Sequence, residues 1–296
     1  MRGRNFWAYA VVSVTLWGCA DGNASERLRV LVTNDDGVQA EGIAALVDEL
    51  ARNAQLDLFV IAPDGNRSGS SDQFSTQAFE VRATSTASGF PATSESGFPA
   101  DASLFGILQE LSPPPDLVVS GINAGQNIGE LIGISGTVGA GLWAARMDVP
   151  AIAVSQGLVP VDYTEAAEYA AQVVEIFRTD AAFRNSMESG NAPDRALVLN
   201  INFPTCTAGT TRGVRVVPAG RSATPIGYEL TSDIDGVQTY LPIIERTNIL
   251  ASDCTSTVTG VGTDVEAMNN GFASVTPLNT DLTATANLAP FLFLER

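Results

Sequence analysis

Short apolar runs alternate with segments of helical periodicity along residues 28–205. Each run is about as long as one β-strand and ends at turn-forming residues, which is typical of a strand buried on both faces. The segments between them carry apolar residues at helical spacing, most clearly in Gly42–Arg52 and Tyr163–Phe177. This alternation predicts an α/β fold with a three-layer arrangement, in which helices cover both faces of a parallel sheet. The runs predicted as strands are Leu28–Asn34, Leu56–Ala62, Asp116–Ser120, Pro150–Ser155 and Ala196–Ile201.

The pattern changes after residue 205. Residues 206–296 hold short β-like runs among Thr-, Gly- and Asp-rich turns, which predicts a β-rich C-terminal extension to a core of residues 28–205. Within the core, residues 84–101 are low in complexity and repeat the letters SGFPA. We interpret that stretch as a surface insertion and not as a repeat architecture.

The charge of the chain excludes several classes of function. A net charge of −17 argues against nucleic-acid polymers and anionic membrane surfaces as partners, because both need concentrated Lys and Arg.

The sequence contains no histidine, which excludes Ser-His-Asp catalysis and histidine-bound zinc. A catalytic metal ion would therefore be held mostly by oxygen ligands, which favours magnesium, manganese or calcium.

The N-terminus has the pattern of an export signal. Arg2 and Arg4 precede an apolar stretch, Phe6–Trp17, that is too short to span a bilayer. Leu16–Cys19 resembles a bacterial lipoprotein cleavage box, which predicts a signal peptide over residues 1–19 with Cys19 as the lipid anchor; an ordinary signal peptide is the alternative. We therefore expect an exported, periplasmic protein, anchored at the outer membrane and touching the membrane only through that lipid.

Two further cysteines follow in the C-terminal part of the chain. Cys206 and Cys254 would lie in an oxidising compartment, where a disulfide persists. The count allows a Cys206–Cys254 disulfide, and it equally allows two free buried thiols.

Polar loops follow the first three predicted strands. Asp35-Asp36-Gly37 follows the first strand, Ser68 lies in the loop after the second, and Asn123 lies in the loop after the third. Because ligands of open parallel sheets bind at the carboxyl ends of the strands, we expect the three loops to converge. Two adjacent carboxylates repel each other unless a cation neutralises them, and a hard divalent ion accepts carboxylate, hydroxyl and amide oxygens together. A simple Asp-Asp-Gly turn is the alternative.

A second candidate feature is the start of the helix predicted over Thr137–Met147. Ser135-Gly136-Thr137 precedes a run of small residues, and exposed N–H groups at a helix N-terminus bind phosphate oxygens. The alternative is an ordinary helix cap at Ser135, which is a common cap residue.

Several of these motifs together resemble the SurE family of stationary-phase survival proteins. The resemblance extends from about Leu28 to beyond Asp281, with motifs in the order and strand context of that family. Two regions depart from it: Gln73–Ala100 does not match closely, and Asn279 stands where relatives often have histidine. The motifs are LRVLVTNDDGVQAEGI, VIAPDGNRSGSS, PDLVVSGINAGQNIG, ISGTVGAGLWAARMDVPAIAVS, LVLNINFP and GTDVEAMNNGFASVTPL.

The resemblance implies a fold, an activity and a site. The fold is a Rossmann-like α/β domain with a β-rich extension that forms homodimers or homotetramers. The activity is a 5′/3′-nucleotidase that removes phosphate from nucleoside monophosphates, with one divalent metal ion per subunit, magnesium or manganese. The implied metal ligands are Asp35, Asp36, Ser68 and Asn123, with Asp35 and Asp36 catalytic. The implied phosphate contacts are Asn127, Ser135, Gly136 and Thr137, and Asn34 would orient the site from behind.

Other functions fit part of the same pattern. A catalytically silent lipoprotein that binds nucleotides would keep the fold and lose the chemistry. A broad-specificity acid phosphatase, or a haloacid-dehalogenase-like phosphatase with its carboxylates after the first strand, would keep the chemistry and change the substrate or the family. The sequence also leaves open whether water or the Asp35 carboxylate attacks phosphorus.

Overall fold

The computed structural model describes residues 27–159, 161–189, 196–221, 223–246 and 252–281. Nine strands form one sheet in the order β3-β4-β2-β1-β5-β6-β7-β11-β8, and β9 and β10 form a separate two-stranded sheet. The strands are β1 (Leu28–Thr33), β2 (Leu56–Pro63), β3 (Val81–Ser85), β4 (Pro91–Glu95), β5 (Leu117–Ala124), β6 (Ala151–Gln156), β7 (Val198–Phe203), β8 (Val214–Val216), β9 (Ala223–Ile234), β10 (Val237–Arg246) and β11 (Ala273–Leu278). The helices are α1 (Glu41–Leu50), α2 (Pro99–Phe105), α3 (Gly136–Arg146), α4 (Thr164–Thr179), α5 (Ala181–Ser189) and α6 (Asp264–Asn269), with a π-helical turn at Gly106–Glu110 and a 3₁₀ helix at Gly129–Ile134.

The predicted three-layer α/β fold is confirmed. Strands β4, β2, β1, β5, β6 and β7 run parallel, whereas β3 and β11 are antiparallel to their neighbours β4 and β7. Strand β1 shows the layering, because its side chains alternate between the two faces of the sheet. Val30 and Val32 pack in the core beneath α1 and α4, and Leu31 packs in the core beneath α2 and α3.

The expectation of a surface insertion at residues 84–101 was wrong for residues 91–101, whereas residues 87–89 form an exposed turn between β3 and β4. Strand β4 pairs with the end of β2 and extends the main sheet, and Glu95 and Ala100 are completely buried. Small residues permit this close packing: a Cβ atom at Gly97 would lie 2.5 Å from an Asp101 carboxylate oxygen. Low complexity here reflects tight packing at the edge of the core and not an exposed loop.

The C-terminal part of the chain both completes the sheet and projects from it. β11 pairs with β7, and β8 pairs with β11, so the sheet does not end at residue 205. The two-stranded sheet of β9 and β10 is a hairpin outside the main sheet. Helix α6 was not predicted from the sequence; its cap is the Thr263 side chain, which accepts a hydrogen bond from the Glu266 N–H.

The structure joins Cys206 and Cys254 by a disulfide across a sequence separation of 48 residues. The predicted signal peptide and Cys19 lie outside the described residues. Within the described part of the chain, every helix is too short or too polar to span a bilayer.

Candidate active site at the carboxyl edge of the sheet

The three polar loops meet at the carboxyl ends of β1, β2 and β5. The Arg67 N–H donates to the Asp35 carbonyl oxygen at 2.6 Å, and the Ala124 N–H donates to the Asp36 carboxylate at 3.0 Å. Gly37, at φ +103°, lies so close to Gly65 that a Cβ atom would be 3.0 Å from the Gly65 Cα. The convergence of these loops was predicted from their positions after the carboxyl ends of parallel strands.

Asp35 is a nearly buried carboxylate. Its side chain accepts a 2.7 Å hydrogen bond from the Thr137 hydroxyl at the start of α3. Burial raises the pKa of Asp35, and the neighbouring Asp36 charge raises it further, while the Thr137 hydrogen bond acts in the opposite direction. The carboxylate is therefore held in one orientation at an electrostatic cost.

Asp36 lies beside Asp35 and is half-buried. It accepts hydrogen bonds from the Asn66 side-chain amide at 3.1 Å and from the Ala124 N–H. Burial raises the pKa of Asp36 as well, and these two hydrogen bonds partly offset that effect. Among the described residues, neither Asp35 nor Asp36 has an ion-pair partner.

The oxygen atoms around this pair fit a hard cation. The Asn123 amide nitrogen donates to the Gly125 carbonyl at 2.6 Å, which leaves the side-chain carbonyl oxygen as the free end of Asn123. Ser68 is exposed in the neighbouring loop, and its N–H is held by the Asn66 side chain at 2.9 Å. Two carboxylates, an amide oxygen and a hydroxyl are the donor set that magnesium and manganese prefer.

A further serine near the pair was missed in the sequence. The Ser70 hydroxyl is buried without a hydrogen-bond partner. It lies 2.6 Å from the position that a Cβ atom at Gly136 would take, and that position is 3.0 Å from an Asp35 carboxylate oxygen. An orphaned buried hydroxyl beside a buried carboxylate leaves a hydrogen-bonding requirement that a ligand could satisfy. No group of three or more His, Cys, Asp or Glu side chains in the described ranges is arranged to hold a metal ion, so the site relies on the neutral oxygens.

Helix α3 begins directly against the carboxylate pair. The Ser135 hydroxyl caps the helix by accepting the Val138 N–H at 3.1 Å, so the alternative interpretation of Ser135 as a helix cap holds. The Thr137 hydroxyl is bound to Asp35. The Thr137 backbone N–H also hydrogen-bonds to Asp35 and lowers the pKa of that carboxyl. What remains for an anion at this end is the backbone N–H of Gly136, which lies in the first turn and has no partner within the helix.

Asn127 lies in a network of buried amides. Its side chain donates to the Ser155 hydroxyl at 2.9 Å, and its backbone N–H donates to the Asn202 side chain at 2.7 Å. Its carbonyl oxygen accepts from the Asn200 amide at 2.8 Å. The structure thus places Asn127 against β6 and β7, whereas the carboxylates follow β1, and a direct phosphate contact stays a prediction. The alternate asparagines in the apolar strand ALVLNINF were the sequence signal for this network, and they were not used.

Asn34 supports the Asp-Asp turn from behind. Its buried side chain donates to the Gly37 carbonyl at 2.9 Å and accepts the Gly37 N–H at 3.2 Å. These two bonds fix the backbone on both sides of Asp35 and Asp36, which agrees with the orienting position expected for Asn34.

Behind the loop that carries Ser68 lies a group of residues that the sequence did not suggest. The Arg67 guanidinium donates to the carbonyls of Gly97 and Ser96 at 2.9 and 3.2 Å, so it ties this loop to the end of β4. The buried Glu95 carboxyl is next to it, and burial raises its pKa to about 8, with the nearby Asp101 charge adding to the shift. Glu95 is therefore largely uncharged at neutral pH.

Comparison with known proteins gives one consistent result. The family model described as Survival protein SurE matches residues 30–225. The proteins named 5′-nucleotidase SurE from Pseudoalteromonas atlantica and Symbiobacterium thermophilum are 34% and 35% identical to this chain, over 88% and 86% of it and 96% and 93% of their own lengths. The crystal structure of the SurE protein from Aquifex aeolicus has a TM-score of 0.71 at 29% identity, and the match covers 90% of this chain and all of that one.

Proposed function

The chain belongs to the survival protein SurE family, and from that premise we propose that it is a metal-dependent nucleotidase that hydrolyses nucleoside monophosphates. One observation supports this most strongly. Asp35 and Asp36 form a partly buried carboxylate pair without an ion-pair partner among the described residues, directly at the N-terminus of α3. Such a pair favours the binding of a cation, and the N-terminus of the helix beside it favours the binding of an anion. A metal ion and a phosphate group satisfy both requirements together.

Each residue of the site then has a distinct task. Asp35, Asp36, Ser68 and Asn123 would hold one divalent ion, magnesium or manganese, and the bound ion would withdraw charge from the phosphoryl oxygens. The N–H group of Gly136 would donate to the same oxygens, where negative charge develops in the transition state. The Thr137 hydroxyl keeps the Asp35 carboxylate turned toward the helix end. Catalysis here is mainly positioning and charge stabilisation.

The experiment that tests this proposal is the substitution Asp35→Asn. It removes a negative charge and keeps the size of the side chain, so we expect kcat for AMP to fall on the order of 10³-fold. The melting temperature should stay the same or rise, because a buried carboxylate is replaced by a neutral amide. Asp148→Asn is the matched control: Asp148 is exposed at a left-handed turn position that asparagine tolerates. Wild-type rates in Asp35→Asn would remove the site assignment.

A panel of substrates separates the nucleotidase from the other functions. Purified protein is assayed with AMP and with p-nitrophenyl phosphate, with manganese or with chelator. The nucleotidase prefers AMP and needs the metal. Equal rates on both substrates indicate a broad-specificity phosphatase, and AMP binding without turnover indicates a silent nucleotide-binding protein.

The proposal includes export and a lipid anchor. The residues that carry the signal and Cys19 lie outside the described part of the chain, so support comes from elsewhere in the molecule. The Cys206–Cys254 disulfide suits an oxidising compartment such as the periplasm. Incorporation of radiolabelled lipid in the wild type and its loss in Cys19→Ala would establish the anchor; equal labelling of both would contradict it.

A further inference from the structure

A small polar cavity lies at the carboxyl ends of β6 and β7, next to the candidate active site. Its volume is about 180 Å³. At roughly 30 Å³ per water molecule this is room for about six waters, which is too small for a whole nucleotide and large enough for part of one. Its polar lining residues are Gln156, Asp162, Glu165, Thr205, Thr210 and Thr211.

One lining residue of the cavity lies on the strand next to a residue that contacts the carboxylate pair. Gln156 ends β6 and stands in register with Ala124 at the end of β5. The N–H of Ala124 is the group that donates to the Asp36 carboxylate. Neighbouring strands lie about 4.8 Å apart, so the cavity begins one strand away from the Asp36 hydrogen bond.

Gln156 has an unmet hydrogen-bonding requirement. The side chain is only 3% exposed, and its amide nitrogen donates to the Pro204 carbonyl at 3.1 Å. Its amide oxygen is buried and has no hydrogen-bond partner among the residues that the structure describes. Leaving such an acceptor unsatisfied costs about 1–3 kcal/mol, so a donor from a ligand would be bound favourably here.

The other residues that line the cavity determine which ligand charge it favours. Asp162 and Glu165 contribute carboxylates, and none of the residues that line the cavity is Lys or Arg. Glu165 accepts a hydrogen bond from the Thr211 hydroxyl, which fixes that carboxylate at the rim. A second phosphate group would be repelled, whereas uncharged hydroxyl or amino groups would find acceptors.

The wall of the cavity is held in place by the disulfide. Cys206 follows the lining residue Thr205, and its partner Cys254 lies against Gly209, where a Cβ atom would be 2.8 Å from the Cys254 carbonyl oxygen. The segment from Thr205 to Thr211 is thereby tied to the segment at residues 252–254, where Ser252 forms an isolated bridge with Cys206. A cavity with a fixed wall loses little conformational entropy when it binds a ligand.

We propose that this cavity is the subsite for the leaving group of the substrate, and that the Gln156 amide oxygen accepts a hydrogen bond from a hydroxyl or amino group of the nucleoside. This inference rests on the proposed function, because it assumes that a phosphate ester occupies the site at Asp35 and Asp36. Gln156 is then a specificity-determining residue: it contacts the nucleoside and takes no part in phosphoryl transfer.

The test compares two substrates in Gln156→Leu. Leucine keeps the approximate volume and removes the acceptor, so kcat/KM for AMP should fall about tenfold, equivalent to about 1.4 kcal/mol. The value for p-nitrophenyl phosphate, which has no donor group, should stay within twofold. Gln172→Leu makes the same chemical change at an exposed position of α4 and should affect neither substrate. An equal loss on both substrates, or no loss on AMP, overturns the subsite while the phosphatase activity stands.

Wild-type measurements keep the proposal testable if Gln156→Leu does not fold. The kcat/KM for AMP is compared with those for 2′-deoxy-AMP, 3′-deoxy-AMP and purine riboside monophosphate, each of which lacks one donor. A loss of at least threefold for one analogue supports the subsite and shows whether the sugar or the base supplies the donor. If all four substrates react within twofold, the subsite is overturned. If wild-type protein with manganese hydrolyses neither AMP nor p-nitrophenyl phosphate, the proposed function itself fails.

Discussion

In most proteins polar side chains are exposed and apolar ones are buried. The carboxyl edge of the main sheet and the β9–β10 hairpin are both exceptions, and they differ in which kind of side chain is misplaced. At the sheet edge, polar side chains are buried: Asp35, Glu95 and Asn127 are each less than 10% exposed. On the hairpin, apolar side chains are exposed, with Tyr228 and Val237 close to 70% accessible. Buried charge and exposed apolar surface both cost free energy in an isolated chain. We therefore propose that each binds a partner: a ligand at the edge and a second subunit at the hairpin.

The largest effect on stability is expected at Glu95. Its pKa is raised from 4.5 in the unfolded chain to about 8 in the folded protein, so folding favours the protonated form. The stabilisation is complete below about pH 4.5 and is lost as the pH rises to about 8. A Glu95→Gln variant does not titrate there, so the free energies of unfolding should agree near pH 4 and differ by as much as about 4 kcal/mol at pH 8, the variant being more stable.

Urea denaturation of the metal-free protein at several pH values measures this difference. Glu80→Gln is the control, because Glu80 is exposed and pairs with Arg82 at the surface. A constant difference between wild type and Glu95→Gln across this pH range would show that the buried edge does not hold a neutral carboxyl.

The next largest effect is a loss of activity that is expected when Gly136 receives a side chain. A Cβ atom there would lie 2.6 Å from the Ser70 hydroxyl and 2.9 Å from the Asp35 Cβ. Gly136→Ala should therefore displace the carboxylate or the helix end and lower kcat/KM for AMP about 10²-fold, since small misplacements at a reacting centre have effects of that size. Steady-state kinetics at saturating manganese measure it.

Gly133→Ala provides the comparison for that variant. Its Cβ position has no heavy atom within 4 Å, so its kcat/KM should remain within twofold of the wild type. Similar losses in both variants would mean that the 3₁₀ helix and the start of α3 respond to alanine in general. The close approach of α3 to Asp35 would then not be the cause.

The positions of the core strands along the chain and the Asp35-Asp36 turn were predictable, because both depend on local patterns. Runs such as Leu28–Asn34 are apolar enough to be recognised as buried strands, and the rule that ligands bind at the carboxyl ends then brings the three loops together. The residues at which strands and helices end were predicted less accurately. Asn123 was expected in a loop, whereas it lies inside β5, where the pairing with β6 shifts register between Ser120 and Asn123.

The parts that were missed depend on contacts between distant residues. Ser70 became a site residue only because α3 packs against its loop, and nothing in the sequence distinguishes it from the serines beside it. Glu95 was assigned to a surface insertion because Ser, Gly and Ala predict exposure when they are read locally. In the folded protein the same small side chains allow β4 and α2 to close over the carboxyl group.

The smallest effect on the fold is expected at the tip of the hairpin. Ile234 and Val237 flank the turn at Asp235-Gly236, and both are more than 65% exposed. We expect the hairpin to join subunits into a homodimer or homotetramer, so aspartate at both positions should dissociate that assembly in sedimentation experiments. Because the side chains contribute little to the subunit's own core, its free energy of unfolding should change by less than about 0.5 kcal/mol.

A matched surface change shows whether this dissociation is specific. Leu108 is 66% exposed on the π-helical turn, and Leu108→Asp places the same charge on apolar surface outside the hairpin. It should leave the sedimentation coefficient unchanged. If the hairpin variant also remains assembled, the exposed apolar residues of β9 and β10 do not form the subunit interface. If the hairpin variant unfolds, the hairpin stabilises the subunit itself, and the contrast between the two regions disappears.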